Sequence, residues 1–104
     1  MTNYKFTIKI TFRNGKELVL YSNDVSLRSG TGGDRFALWV DNEPVVRIFM
    51  GQPNVFVEGE YTIHNGAPIK SNLFKYFPED WDQNDEQFNV IDAVYVNSKG
   101  VQVE

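Results

Sequence analysis

The sequence predicts an all-β protein: a small antiparallel barrel or sandwich of six or seven strands, with one short helical insertion at about residues 70–84. Three observations predict it. Apolar and polar residues alternate with a period of two over several short runs, the mark of a half-buried strand. Gly, Pro, Asn and Asp punctuate those runs at short, regular intervals, as in small barrels and sandwiches. The alternation fails over residues 69–87, which include most of the aromatic and acidic stretch LFKYFPEDWDQNDEQF at 73–88. A chain of 104 residues with no composition break is read as a single β domain, 1–104. Eight Phe, five Tyr and two Trp supply ample side chains for a core, at about 1.5–3 kcal/mol for each one fully buried.

Tyr4, Phe6, Ile8, Ile10 and Phe12 alternate with Lys5, Thr7, Lys9, Thr11 and Arg13, giving a first strand with an apolar and a basic face. Asn14-Gly15 turns the chain. A three-residue loop, Arg13 to Gly15 with Gly15 left-handed, sets Ile10 opposite Leu18 and Ile8 opposite Leu20, which matches the large apolar residues. The second strand is Glu17 to Ser22, and Val25 and Leu27 continue it past a kink at Asn23-Asp24. Arg28 to Asp34 is a glycine-rich loop, Arg35 to Val40 a strand, Asp41 to Pro44 a turn and Val45 to Met50 a strand. Gly51 to Asn54 turns again. Val55 to Ile63 reads as one long strand that ends at His64 to Pro68. Ser71 is placed to cap a short helix over Asn72 to Phe77, and Pro78-Glu79-Asp80 to open a second helical turn. Phe88 to Val96 returns to a strand that Asp92 interrupts, and Val101 and Val103 add a terminal strand.

The composition narrows the chemistry. With no cysteine, the chain has no thiolate nucleophile, disulfide or cysteine-held metal. His64 is the lone histidine, and none of the five serines stands in a nucleophile-elbow context. Asp80-Trp81-Asp82-Gln83-Asn84 opens like a calcium loop, but Asp85 stands where glycine is needed and Ile91 where a closing Glu is needed. Ser29 to Asp34 lacks the ending of a phosphate loop. Glu58 and Glu60 share a face of the expected long strand, a spacing that could suit sugar chemistry, but such a pair is far more often simply a solvated strand face. The expectation is a protein that is not an enzyme, with no cofactor, no metal and no catalytic residue. No window reads as a signal-peptide core or a membrane span, and the expected location is cytoplasmic.

Charge is unevenly divided. Residues 1–50 carry a net +2 and residues 51–104 a net −6, for −4 overall. The acidic pole coincides with the aromatic segment. Tyr76, Glu79, Asp80, Trp81, Asp82, Asp85 and Glu86 therefore form the candidate partner-binding surface, because Trp and Tyr dominate binding hot spots and acids steer a basic partner. The expected partner is a protein with a basic surface. In its sharper form this is a phage-type inhibitor whose acids imitate nucleic-acid phosphates in a basic groove of a nucleic-acid-processing host protein. The rival reading is a single-stranded nucleic-acid-binding barrel using Lys5, Lys9, Arg13 and Lys16. An acidic chain, and a basic row without aromatics of its own, weigh against nucleic acid. Two further rivals are a sugar-binding domain using Trp39, Trp81 and carboxylates, and a structural subunit that assembles through strand edges.

Overall fold

The computed structural model describes residues 2–29, 36–48, 55–57, 60–98 and 101–103. The described strands are β1 (Thr2–Tyr4), β2 (Phe6–Phe12), β3 (Glu17–Ser22), β4 (Val25–Ser29) and β5 (Phe36–Val40). They continue as β6 (Glu43–Ile48), β7 (Val55–Val57), β8 (Glu60–Pro68), β9 (Ile91–Asn97) and β10 (Val101–Val103). All described pairings are antiparallel. Seven strands form one sheet in the order β3-β2-β9-β8-β6-β5-β4, with β7 added on β8 and β1-β10 as a separate ribbon.

The two ends of that order, β3 and β4, are consecutive in the chain and joined by Asn23 and Asp24 alone. They are two arms of one bent strand, so the sheet returns on itself and encloses a single core. Ile8, Ile10 and Phe12 of β2 meet Leu18 and Leu20 of β3, Leu38 and Val40 of β5, Val46 and Ile48 of β6, and Val94 and Val96 of β9. The kink expected at Asn23-Asp24 is thus the corner that closes the barrel.

Polar bonds hold the corner. Ser22 is buried, at 2% exposure. Its Oγ accepts the Asp24 N–H at 2.9 Å, and its O–H donates to Asp41 Oδ1. The Asp41 N–H in turn donates to the Asp24 carbonyl at 2.9 Å. Asp41 and Asn42 form the two-residue turn between β5 and β6, with φ of 53° and 67°. Asp and Asn tolerate that left-handed region better than most residues. The expected four-residue turn shrinks accordingly: Glu43 and Pro44 already belong to β6.

The β2–β3 hairpin has the three-residue loop that its apolar matching predicts. Ile10 pairs with Leu18 and Ile8 with Leu20. Gly15 has φ of 86° and its N–H donates to the Phe12 carbonyl at 2.9 Å.

Other expectations need correction. The first strand is broken at Lys5, whose N–H donates to the Asn23 side chain rather than to a neighbouring strand. The long strand over 55–63 is a hairpin, because Val57 pairs with Glu60 and Val55 with Thr62. Glu58 lies outside the described residues, and the reversal removes the single strand on which its pairing with Glu60 depended. His64 to Pro68 does not end the strand but continues it, since β8 bonds β9 along 60–66 and β6 along 66–68. Asn65-Gly66 is therefore no turn: a Cβ at Gly66 would lie 2.8 Å from the Arg47 carbonyl oxygen. In β9, Thr11 pairs with Ala93 and Phe12 with Ile91, so Asp92 is the extra residue of a bulge. The bulge resets the alternation, burying Ile91 in place of Val90. Of the glycine-rich loop expected over 28–34, Arg28 and Ser29 belong instead to β4, and residues 30–34, like the turn at 51–54, lie outside the described residues.

The helical insertion is shorter than its sequence suggests. Helix α1 spans Lys70–Leu73, and a 3-10 turn follows at Phe74–Tyr76. Ser71 lies inside α1 and caps nothing. Ile69 holds the cap position, and its carbonyl accepts the Asn72 and Leu73 N–H groups. Pro78 begins an isolated turn, closed by Trp81 N–H to the Pro78 carbonyl. Phe88 sits in a second 3-10 turn, Glu86–Asn89, not in a strand.

Two substitutions test this frame. Ser22→Ala removes the hydroxyl's bonds to the Asp24 N–H and the Asp41 carboxylate, both on exposed residues that water can serve, at about 0.5–1.5 kcal/mol. Gly66→Ala forces a methyl against backbone, at about 1–3 kcal/mol. Each lowers the melting temperature by about 4–8 °C per kcal/mol for a domain near this size. A Ser22→Ala melt that overlays the wild type would show that the corner does not depend on the hydroxyl.

Candidate functional site

The acidic–aromatic segment is built around Phe12, the last inward residue of β2. Phe77, Trp81 and Phe88 stand edge-on to its ring at centroid distances of 5.4, 6.3 and 5.1 Å. Trp81 stacks on Phe88 at 5.4 Å and 17°. Phe74 packs on Phe77 at 4.5 Å. Such pairs add about 0.5–1.5 kcal/mol each beyond simple burial. Together they plug one end of the barrel, so the segment's shape is set from inside.

Short-range bonds fix its backbone. The Asp85 N–H donates to the Asp82 carbonyl at 3.1 Å, and Asp82 Oδ1 accepts the Asn84 N–H at 2.9 Å. Asp85 is the N-cap of the second 3-10 turn, where its Oδ1 accepts the Gln87 N–H at 2.9 Å. The β2–β3 hairpin tip closes on the same segment. The Arg13 N–H donates to the Val90 carbonyl at 3.1 Å, the Asn14 side chain donates to Asp85 at 3.4 Å, and Lys16 Nζ lies 5.5 Å over the Trp81 ring.

The seven candidate residues therefore divide by task. Glu79, Asp80, Asp82 and Glu86 are exposed. Asp85 is half-buried and structural. Trp81 is half-buried, with its ring committed to Phe88, Phe77 and Lys16. Tyr76 packs against the core, with Lys75 Nζ 5.4 Å from its ring. Among the described residues the one ion pair is Lys75–Glu43, at 2.6 Å. The hydrogen bond that Lys75 donates to the Glu43 carboxylate raises the pKa of Lys75. None of the four exposed acids has a salt-bridge cation among the described residues.

The rival basic row is dispersed. Lys9 faces outward from β2, Lys5 lies outside that strand, Arg13 stands in the hairpin turn and Lys16 covers Trp81. The row does have aromatic neighbours that its own strand does not reveal. Tyr95 of β9 and Val19 of β3 pair across from Lys9, and Tyr21 pairs with Thr7. Tyr4 leans on Tyr21 at 5.8 Å. These contacts cross strands, so no window of the sequence contains them.

Among the described residues no three His, Asp or Glu side chains are grouped so as to hold a metal ion. No described helix is long and apolar enough to cross a membrane. No protein-family model matches the chain, nor does any curated protein or solved structure.

Asp85 and Asp80 differ in kind, although both lie in one acidic run. Asp85→Ala should cost about 1 kcal/mol through the lost cap, whereas Asp80→Ala should stay within about 0.5 kcal/mol. Urea denaturation of the two variants measures the difference. Equal midpoints would mean that the cap does not contribute.

Proposed function

We propose that the protein acts by binding, without catalysis, a partner protein with a basic surface, and that the segment 76–86 is the docking face. One observation carries this reading. Glu79, Asp80, Asp82 and Glu86 stand exposed and, among the described residues, outside any salt bridge, on a loop that its aromatic residues and turns hold in place. Carboxylates carried on an ordered backbone lose less conformational freedom on docking than those of a disordered tail, and preorganisation of that kind raises affinity. Their field also speeds encounter with a positively charged surface. Trp81 contributes its exposed portion at the centre, with acids on both sides in the sequence.

The sharper form is inhibitory. Carboxylates at fixed spacing on a small rigid body are suited to occupy a groove shaped for nucleic-acid phosphates. On this reading the protein is a phage-type inhibitor of a nucleic-acid-processing host protein. The small size and local acidity of the chain support it.

The test is a pull-down from bacterial lysate with the tagged chain, beside a variant carrying Glu79→Gln, Asp80→Asn, Asp82→Asn and Glu86→Gln. Asp85 is kept, because its carboxylate caps the 3-10 turn. A partner that wild type captures at low salt, releases at high salt and loses with the variant is the expected result. Equal capture by a variant with an unchanged melting temperature moves the docking face elsewhere.

A further inference from the structure

We infer that the outer wall of β4, β5 and β6 is a binding site for single-stranded nucleic acid, formed by Arg28, Trp39 and Arg47. This does not rest on the acidic docking face and uses none of its residues. Arg28 of β4 lies over the Trp39 ring of β5, its guanidinium carbon 4.5 Å from the ring centroid. Two side chains hold it there: its Nε donates to Ser26 Oγ at 2.9 Å and its Nη1 to Asn42 Oδ1 at 3.5 Å. A planar cation fixed on an indole is a prepared platform. Its outward side is exposed, and a nucleobase stacks on a guanidinium plane as it does on an aromatic ring.

The second arginine is placed by register. Arg28 and Arg47 both pair with Ala37, one from each side. Their Cα atoms are therefore two strand spacings apart, about 10 Å. Between them stands Ala37, whose small side chain is buried, so a ligand there would rest on the two arginines and Trp39 and not on the sheet itself. Arg47 is exposed and has no ion pair among the described residues. Guanidinium groups suit phosphate because they offer paired, coplanar donors. The neighbouring carboxylates of the β5–β6 turn are already engaged, Asp41 by Ser22 and Glu43 by Lys75. An acidic protein would satisfy the two charges, but it would bring no row of flat rings to the Arg28–Trp39 stack. That stack favours a strand of nucleotides.

Anisotropy of a fluorescein-labelled oligothymidylate at low salt tests the inference. Wild type should bind saturably, and affinity should fall as salt rises. Arg28→Gln and Arg47→Gln should each weaken binding by about tenfold or more, with melting temperatures near that of wild type. Lys9→Gln, on the other face, should leave affinity within about twofold, since it loses none of these contacts. No saturable binding by wild type overturns the inference. So does a loss with Lys9→Gln that matches the loss with Arg28→Gln. Displacement by polyglutamate or inorganic phosphate as readily as by unlabelled oligothymidylate would remove the nucleobase from the assignment and overturn it as well.

Discussion

Phe12 is the residue on which the rest of the molecule turns. The alternation of β2 points it inward, and the three-residue hairpin loop fixes where β2 stops. The β9 bulge at Asp92 then brings Ile91 opposite it. Each of these is a local backbone constraint, and all three meet at one side chain. That ring is what Phe77, Trp81 and Phe88 pack against. The acidic loop is consequently a surface of the core, not an appendage. Its carboxylates stay in water because the rings between them are drawn inward. Without Phe12 the plug would lose its seat, and the loop its shape.

The second constraint is polar. Ser22 is the one buried polar residue among the described positions, and both of its bonding partners belong to turns. In an apolar interior such a network carries a penalty unless every member is satisfied. Here it is satisfied by Asp24 of the β3–β4 corner and Asp41 of the β5–β6 turn. It therefore specifies how that corner meets the β5–β6 hairpin, which the greasy core around it specifies less sharply. The same turn places Asn42 beside Arg28 and Glu43 beside Lys75. One small corner thus orders both the outer wall of β4–β6 and the attachment of the helical insertion.

Much of the fold is legible in the sequence because it is local. Loop chemistry at Asn14-Gly15 and matched apolar residues on either side determine the first hairpin. Alternation determines β2, β3 and β5. The failures also have a physical cause. The chain reverses between Val57 and Glu60, which pair with each other, inside a period-two pattern, so a hairpin reads as one strand. Asn-Gly at 65–66 carries the composition of a turn, yet the register needs a residue without a side chain between β9 and β6. The Asp92 bulge disguises Ile91 as an outward residue. In the candidate site, the acids and rings are visible in one window. What divides them is not visible there. Asp85 becomes a cap through the 3-10 turn that follows it, and Trp81 is claimed by Lys16 from a distant hairpin. The Arg28–Trp39 stack and the Ala37 row arise only when β4, β5 and β6 lie side by side.

The barrel ring is closed by the covalent chain at Asn23-Asp24, not by a ladder between β3 and β4. Every other seam in the ring is stitched with backbone hydrogen bonds; this one is only folded over. Leu27 shows the effect, being 39% exposed although it pairs with the fully buried Leu38. The two arms can part like the covers of a book about Ser22 with no strand pairing broken. Opening at the least bonded boundary costs the least free energy. That seam is therefore where solvent should first reach the interior, away from the plugged end where the acids stand.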